Sequence, residues 1–143
     1  MPRAVSVACH ASWGVTVLSR GEVHGARPSD AYAALFATAT AASAAALPGR
    51  RQRRPAPSWR ARAVRWSGAG LAGVYATVVG RSQLRAAETL DADTVRQATG
   101  SGIRGVILLQ SALAARSGSP GVAGGLLLAG PAARLASKAV SPT

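Results

Sequence analysis

Three ionisable side chains of different chemistry lie close together near the start of the chain. They are Arg20, Glu22 and His24, interspersed with the flexible Gly21 and Gly25. Arginine can hold a phosphate through two parallel hydrogen bonds, a carboxylate can coordinate Mg²⁺, and imidazole can exchange a proton near neutral pH. The cluster directly follows an apolar stretch, where ionisable groups are costly unless they are paired or functional. It therefore indicates a phosphate or Mg²⁺ site, or else a polar loop in which Arg20 pairs with Glu22.

A second group of charges lies later in the chain, at Asp91, Asp93, Arg96 and Arg104. Two carboxylates two residues apart could share a divalent cation. The same spacing is typical of the first turn of a helix, where acidic side chains oppose the positive helix terminus. We favour that interpretation, with Asp91 as the N-cap. Arg104 begins an apolar stretch, so it either extends to the membrane interface or faces a polar cavity and contacts phosphate.

Other common catalytic and metal-binding patterns do not occur in the sequence. We find no Ser/His/Asp arrangement, Walker motif or dinucleotide fingerprint. Gly100, Gly102 and Gly105 form a glycine-rich group, but no strand pattern precedes it, so close helix packing or the entry into a helix is a better interpretation than a phosphate-binding loop. The single cysteine, Cys9, excludes a disulfide within the chain, and we expect it to be a small buried packing residue.

Five apolar stretches predict the helices that position these residues, at about 4–18, 31–47, 64–79, 99–115 and 121–139. Pro48 and Gly49 stop the second stretch, and Pro131 predicts a kink in the fifth. Residues 84–98 are more polar and predict a short separate helix. Each apolar stretch is short for a membrane span, but together they leave little polar surface to cover a water-exposed bundle. We therefore predict an all-α integral membrane bundle of four to five helices, a multi-pass protein of the cell membrane.

The formal net charge of +12 comes almost entirely from arginine, because Lys138 is the only lysine. Arginines can bind nucleic acid, lie against anionic lipid headgroups or flank membrane helices. Residues 50–65 hold the densest group. Its run at 50–55 could bind nucleic acid or acidic lipid, and we interpret it as a solvated loop beside headgroups. Aromatic residues, at 4% of the chain, are too few to stack bases. We therefore expect membrane lipid and no nucleic acid as a partner. The basic residues are divided evenly between the two predicted sides of the membrane, so they do not indicate the orientation of the helices.

Three segments resemble parts of one family of membrane enzymes. Residues 15–25, VTVLSRGEVHG, resemble the region around the second polar motif of UbiA-type intramembrane prenyltransferases. Residues 97–110, QATGSGIRGVILLQ, and residues 138–143, KAVSPT, look like late segments of the same family. The resemblance covers essentially the whole chain, but it corresponds only to about the C-terminal half of such an enzyme.

The resemblance implies an all-helical fold with about nine spans, and transfer of an isoprenyl group from an isoprenyl diphosphate to a small-molecule acceptor. It also implies Mg²⁺, which neutralises charge on the leaving diphosphate. Arg20, His24 and Arg104 would then contact the diphosphate, and Glu22 the metal. The family's first Asp-rich motif, Asn-x-x-x-Asp, has no counterpart in this sequence. We therefore expect a partial domain that is inactive alone, with a small non-enzymatic membrane helper or assembly protein as the alternative.

Overall fold

The computed structural model of the chain describes residues 2–47 and 58–129. Helix α1 spans Pro2–Ser19, α2 Pro28–Ala46, α3 Trp59–Thr89 and α4 Ala92–Arg116, and a further helical stretch, α5, covers residues 120–129. These two ranges contain no strand, so the predicted all-α class is confirmed. Within the same ranges, no helix is both long and apolar enough to cross a bilayer. The kink predicted at Pro131 lies outside the described residues.

Helix α3 is much longer than the predicted stretch at 64–79, and the separate polar helix predicted at 84–98 is wrong. Residues 84–89 end α3, and residues 92–98 begin α4. Leu90 lies between them with a left-handed backbone, at a φ of 59°, and its N–H donates to the carbonyl oxygen of Ala86 at 2.9 Å. A left-handed residue cannot continue a right-handed helix, so the chain reverses direction at this point.

Local chemistry explains where the helices begin. The side chains of Ser58 and Asp91 each accept a hydrogen bond from the backbone N–H three residues on, at 3.2 and 2.9 Å. Each bond satisfies a donor that the first turn of a helix leaves unpaired, and the predicted N-cap role of Asp91 is confirmed. Helix α2 begins after Arg27, with Pro28 in its first turn and Asp30 opposing the helix dipole.

Consecutive helices run up and down as antiparallel neighbours. Helix α3 packs most extensively on α4, and α2 contacts both α1 and α3. At one end of the bundle, the N–H of Ala26 in the α1–α2 loop donates to the carbonyl oxygen of Leu90 at 3.1 Å. At the opposite end, Arg116 donates from Nη1 to the carbonyl oxygen of Ala46 at 2.5 Å. The two contacts fix which loops and termini share an end of the bundle.

The interior of the bundle consists mostly of alanine, which supplies 14 of the 21 buried apolar residues in the described ranges. The largest fully buried side chains include Leu18, Tyr75 and Leu109. Small side chains allow helix axes to approach closely. The stabilisation then comes more from van der Waals contact between the helices than from the apolar area that each side chain buries. The bundle is therefore held by many short-range contacts between closely spaced helices with small side chains.

The glycine-rich group of α4 takes part in this close packing. A β-carbon on Gly102 would lie 2.7 Å from the side chain of Val15 in α1, and one on Gly105 would overlap Val79 in α3. Both contacts are closer than a real β-carbon tolerates, so any larger residue at these positions would force a neighbouring side chain or helix to shift. The predicted packing role is confirmed for Gly102 and Gly105, whereas a β-carbon on Gly100 would meet only the side chain of Arg104 in the same helix.

Among the described residues, more of the large apolar side chains are exposed than buried, and several others pack partly buried against the core. Only Tyr75 among the aromatic residues is buried, with a hydrogen bond to the side chain of Thr38. The other five are exposed: Trp13, Tyr32, Phe36, Trp59 and Trp66. Cys9 is exposed too, and the expectation that it is buried was wrong. Val7 and Ala11 occupy the core-facing positions of α1, and Cys9 falls on the other side of that helix.

Candidate functional site

The predicted cluster in the α1–α2 loop is largely exposed. Arg20 and His24 are exposed, and Glu22 is half-buried. Among the described residues, no ion pair joins Arg20 to Glu22. Arg96 contacts Glu22 through the backbone: its Nη1 donates a hydrogen bond to the backbone carbonyl oxygen of Glu22 at 3.3 Å. The loop therefore carries a cation, a carboxylate and an imidazole on one short turn without pairing the first two.

Backbone contacts fix this loop against the α3–α4 turn. The N–H of Ala26 donates to the carbonyl oxygen of Leu90, and the N–H of Gly25 donates to the carbonyl oxygen of Gly21 at 2.9 Å. Gly25 has a φ of +87°, and a β-carbon on it would overlap the Leu90 carbonyl oxygen. Glycine is the residue that combines such a backbone with so close an approach. The two loops therefore form one firmly connected end of the bundle.

Every Asp and Glu residue of the chain lies at this end, which we call the acidic pole. The five are Glu22, Asp30, Glu88, Asp91 and Asp93. Asp93 forms an ion pair with Arg96 one turn further along α4. Side-chain hydrogen bonds from Thr89 and then Thr94 hold the pKa of Asp91 well below its usual range. Asp91 and Asp93 thus serve the start of α4, as predicted, and each already has partners.

Glu22 alone does not make a magnesium site. In residues 2–47 and 58–129, no three His, Cys, Asp or Glu side chains lie close enough together to hold a metal ion. Protein-bound Mg²⁺ has octahedral oxygen ligands, usually one or two carboxylates with water and substrate phosphates. Glu22 could therefore supply only one such carboxylate, with the other ligands coming from water or from a substrate, and we derive no metal-dependent step from it.

Arg104 does not join the loop cluster. It lies in α4, about 18 Å along the helix axis from Ala92 at the start of that helix. Its side chain is exposed, and the guanidinium folds back beside Gly100, one turn earlier. Arg104 therefore faces the surroundings of the bundle. The structure brings three of the four predicted residues onto one loop and leaves the fourth on a separate surface.

The opposite end of the bundle carries arginine and no Asp or Glu, and we call it the basic pole. Arg60, Arg62 and Arg65 lie in the first two turns of α3, and Arg116 ends α4. Arg116 donates to the carbonyl oxygen of Ala46 at 2.5 Å and so caps the end of α2. Between the start of α3 and the end of α4 lies an open cleft of about 430 Å³. Three of the four arginines line it.

Residues 59–66, which we call the 59–66 segment, extend beyond the packed part of α3. None of their side chains is buried, and the first buried residue of the helix is Gly68. Trp59 and Trp66 are 67% and 76% exposed. The guanidinium carbon of Arg60 lies 5.5 Å from the centre of the Trp59 ring, in a cation–π contact. The segment therefore presents two indoles and several guanidinium groups outside the core.

Sequence reasoning missed this segment, because it treated residues 50–65 as one loop on account of their arginines and prolines. In the structure the helix begins at Trp59, and residues 50–57 lie outside the described residues. The signal that could have revealed it is Ser58, a good N-cap, followed by nine residues without proline or glycine.

Comparisons of the chain with family models, with curated proteins and with solved structures found no match. The prenyltransferase resemblance therefore depends on the three sequence segments alone. The isoprenyl diphosphate, its acceptor and Mg²⁺ stay predictions, as do the roles of Arg20, Glu22, His24 and Arg104 in binding them.

Proposed function

We propose that the chain is a small non-enzymatic membrane-associated protein, a helper or assembly subunit, whose outer surface lies against lipid. The observation that carries this proposal is the distribution of apolar side chains by size: alanine supplies most of the buried apolar residues, and more of the large apolar side chains are exposed than buried. A bundle surrounded by water gains most stability by burying its largest apolar side chains. This chain leaves many of its largest apolar side chains exposed. Contact with an apolar medium such as lipid would stabilise those exposed side chains.

Helix α2 gives the clearest example of this distribution. Its inner face is formed by small residues such as Ala31 and Ala34, which are fully buried. Tyr32 and Phe36, one turn apart on the outer face, are 61% and 73% exposed. Leu47, at the end of the helix, is 59% exposed. Exposed apolar faces of this kind mark contact with lipid or with a partner, and we assign this one to lipid.

The placement of the predicted site residues supports a non-catalytic role. Arg20 and His24 are exposed at the acidic pole, and Arg104 lies partway along α4. The cleft of about 430 Å³ lies at the opposite end, and no carboxylate or imidazole lines it. An enzyme that handles a reactive allylic diphosphate needs its donors and a water-poor cavity in one place. Among the described residues, these features are far apart.

Membrane fractionation tests the proposal. The full chain is expressed, and isolated membranes are washed with high salt, with alkaline carbonate and finally with detergent. We expect the chain to sediment with membranes and to need detergent for full release, because apolar contact with lipid does not weaken with salt. Recovery of the folded chain in the membrane-free fraction before any wash would overturn the proposal.

A pair of variants on α2 adds a matched control. The double variant Tyr32→Gln/Phe36→Gln removes outward apolar area without touching the alanine face, and we expect more of it to be released by carbonate. Ser29→Gln/Ser43→Gln places the same new side chains at exposed positions of the same helix. Its release should match that of the unmodified chain. Equal release of both double variants would contradict the assignment of this face to lipid.

Isoprenyl transfer stays a prediction from the family resemblance, and we expect no turnover from the chain alone. An assay of the full chain with Mg²⁺, isoprenyl diphosphates of several chain lengths and an aromatic acceptor checks this expectation. Product that forms with the unmodified chain and disappears in Glu22→Gln would replace the non-enzymatic proposal with the enzymatic one.

A further inference from the structure

We propose that the 59–66 segment binds the surface of a membrane that contains anionic phospholipid. The inference rests on the proposed membrane association and deepens it, because it names the part of the protein and the lipid chemistry that meet. Trp59 and Trp66 lie at the level of the lipid headgroups, and Arg60 and Arg62 contact the lipid phosphates.

Helical periodicity places the two indoles on the side of α3 that faces away from the bundle. Trp59, Ala63 and Trp66 have the i, i+4, i+7 spacing of one helix face, and all three are exposed. Gly68, at about 180° from Trp59 around the helix, is buried, with no room for a β-carbon beside the side chain of Arg116. The indoles therefore point outward together, about 10 Å apart along the axis.

The chemistry of these side chains fits the interface between a bilayer and water. An indole combines a large apolar ring with one N–H donor, and tryptophan is enriched at the headgroup level for that reason. Arg60 and Arg62 are exposed on either side of the indole face, and a guanidinium can hold a phosphate through two hydrogen bonds. Arg60 also lies over the Trp59 ring, so the cation and the indole reach the same depth.

The distribution of charge favours this end of the bundle for an anionic surface. The basic pole has no Asp or Glu side chain, and the N-terminus of α3 adds a positive partial charge. All five carboxylates lie at the acidic pole, on the far side of the bundle, where repulsion from an anionic surface is weakest. Each arginine near such a surface strengthens binding by roughly fivefold.

Flotation with lipid vesicles tests the inference. The full chain is synthesised in a cell-free system with preformed vesicles of phosphatidylcholine, with or without phosphatidylglycerol. We expect stronger binding to the vesicles with phosphatidylglycerol, and a decrease in that preference as salt is raised. In a Trp13→Phe background, Trp59 and Trp66 are the only tryptophans, and their emission under excitation selective for indole should shift to shorter wavelength on those vesicles.

Variants of a single helix separate a local site from a general effect of charge. Arg60→Gln/Arg62→Gln should weaken binding to anionic vesicles by about 30-fold. Arg81→Gln/Arg85→Gln makes the same charge change in exposed residues of α3 about 30 Å further along, and we expect less than about a twofold effect. Trp59→Ala/Trp66→Ala should likewise weaken binding more than Trp13→Ala. The replaced side chains lie outside the core, so circular dichroism should be unchanged for every variant.

The outcomes distinguish this inference from the proposed function. Equal binding to both kinds of vesicle, or equal losses in the two double-arginine variants, would overturn the inference and leave membrane association standing. Binding to neither kind of vesicle would overturn both. If a nucleic-acid oligonucleotide competes the chain off anionic vesicles, and the Arg60→Gln/Arg62→Gln variant no longer binds it, the segment is a nucleic-acid site and the lipid assignment fails.

Discussion

The backbone N–H of Ala26 donates a hydrogen bond to the carbonyl oxygen of Leu90 at 3.1 Å, and this bond joins the two loops of the acidic pole. Gly25 has a left-handed backbone and so does Leu90, with φ values of 87° and 59°. Two conformations that most side chains disfavour are therefore in direct contact. The hydrogen bond and the close packing of Gly25 on the Leu90 carbonyl group hold both backbones in these conformations.

The close approach of these loops predicts a large effect for Gly25→Ala. The new β-carbon would overlap the Leu90 carbonyl oxygen and would also require a left-handed alanine. We expect the free energy of unfolding to fall by about 3 kcal/mol. Gly118→Ala is the matched control, because Gly118 has a φ of +88° with nothing within 4 Å of its β-carbon position. That variant should lose only about 1 kcal/mol. Denaturant unfolding of both variants measures the difference, and equal losses would contradict the contact.

The lowered pKa of Asp91 predicts how stability depends on pH. Hydrogen bonds from Thr89 and Thr94 favour the ionised carboxylate in the folded chain. The stabilisation is therefore fully present above the ordinary pKa of an aspartate, about 4, and is lost as pH falls from there toward the lowered folded pKa. Asp91→Asn keeps a capping oxygen but cannot ionise. Thermal unfolding should show the unmodified chain to be more stable than Asp91→Asn at pH 7, with the difference shrinking below pH 4. A difference that is independent of pH would contradict this explanation.

The buried side-chain oxygens of Gln83 and Thr99 have no hydrogen-bond partner. A buried oxygen without a partner costs roughly 1–3 kcal/mol relative to water. Replacing Gln83 by methionine, which has a similar volume, removes the oxygen, and we expect the free energy of unfolding to rise by about 1 kcal/mol. Gln110→Met is the control, because Gln110 is exposed. Urea unfolding compares the two, and a loss of stability in Gln83→Met would mean that its amide has a partner after all.

The tight packing of Gly105 predicts opposite effects for two glycine substitutions. A β-carbon on Gly105 would overlap Val79 and lie 3.1 Å from ring carbons of Tyr75, so Gly105→Ala should destabilise the bundle by about 1–3 kcal/mol. Gly73 lies within α3, with nothing within 4 Å of its β-carbon position. Gly73→Ala should therefore raise helix stability by up to about 1 kcal/mol. Calorimetric melting temperatures should move in opposite directions for the two variants.

The helical class could be predicted because apolar stretches and helix stops depend only on residues that are close together in the sequence. Asp91 shows this best, since capping depends only on the next few residues. The length of α3 could not be read in the same way. Its first two turns are rich in arginine and make few core contacts, so hydrophobic periodicity gives no signal there. Its end is set by Leu90, a residue type that seldom adopts a left-handed backbone.

The candidate site was harder to predict than the fold. The loop with Arg20, Glu22 and His24 could be recognised from its composition, but its contact with the α3–α4 turn is a tertiary property. The family resemblance implies one diphosphate site for Arg104 and that loop, yet the rise of α4 places Arg104 about 18 Å from the start of the helix. The exposure of Trp59 and Trp66 also depends on which part of α3 the other helices cover, and that cannot be read from spacing alone.

The alanine interior has a consequence for how this bundle responds to temperature. The heat-capacity change of unfolding scales with the apolar area that unfolding exposes, and a methyl group contributes little of it. Alanine also loses no rotamer freedom when it is buried. A core of this kind therefore gives a broad, flat stability curve, in which cooling weakens the fold less than it does in a domain of the same length with a leucine-rich core.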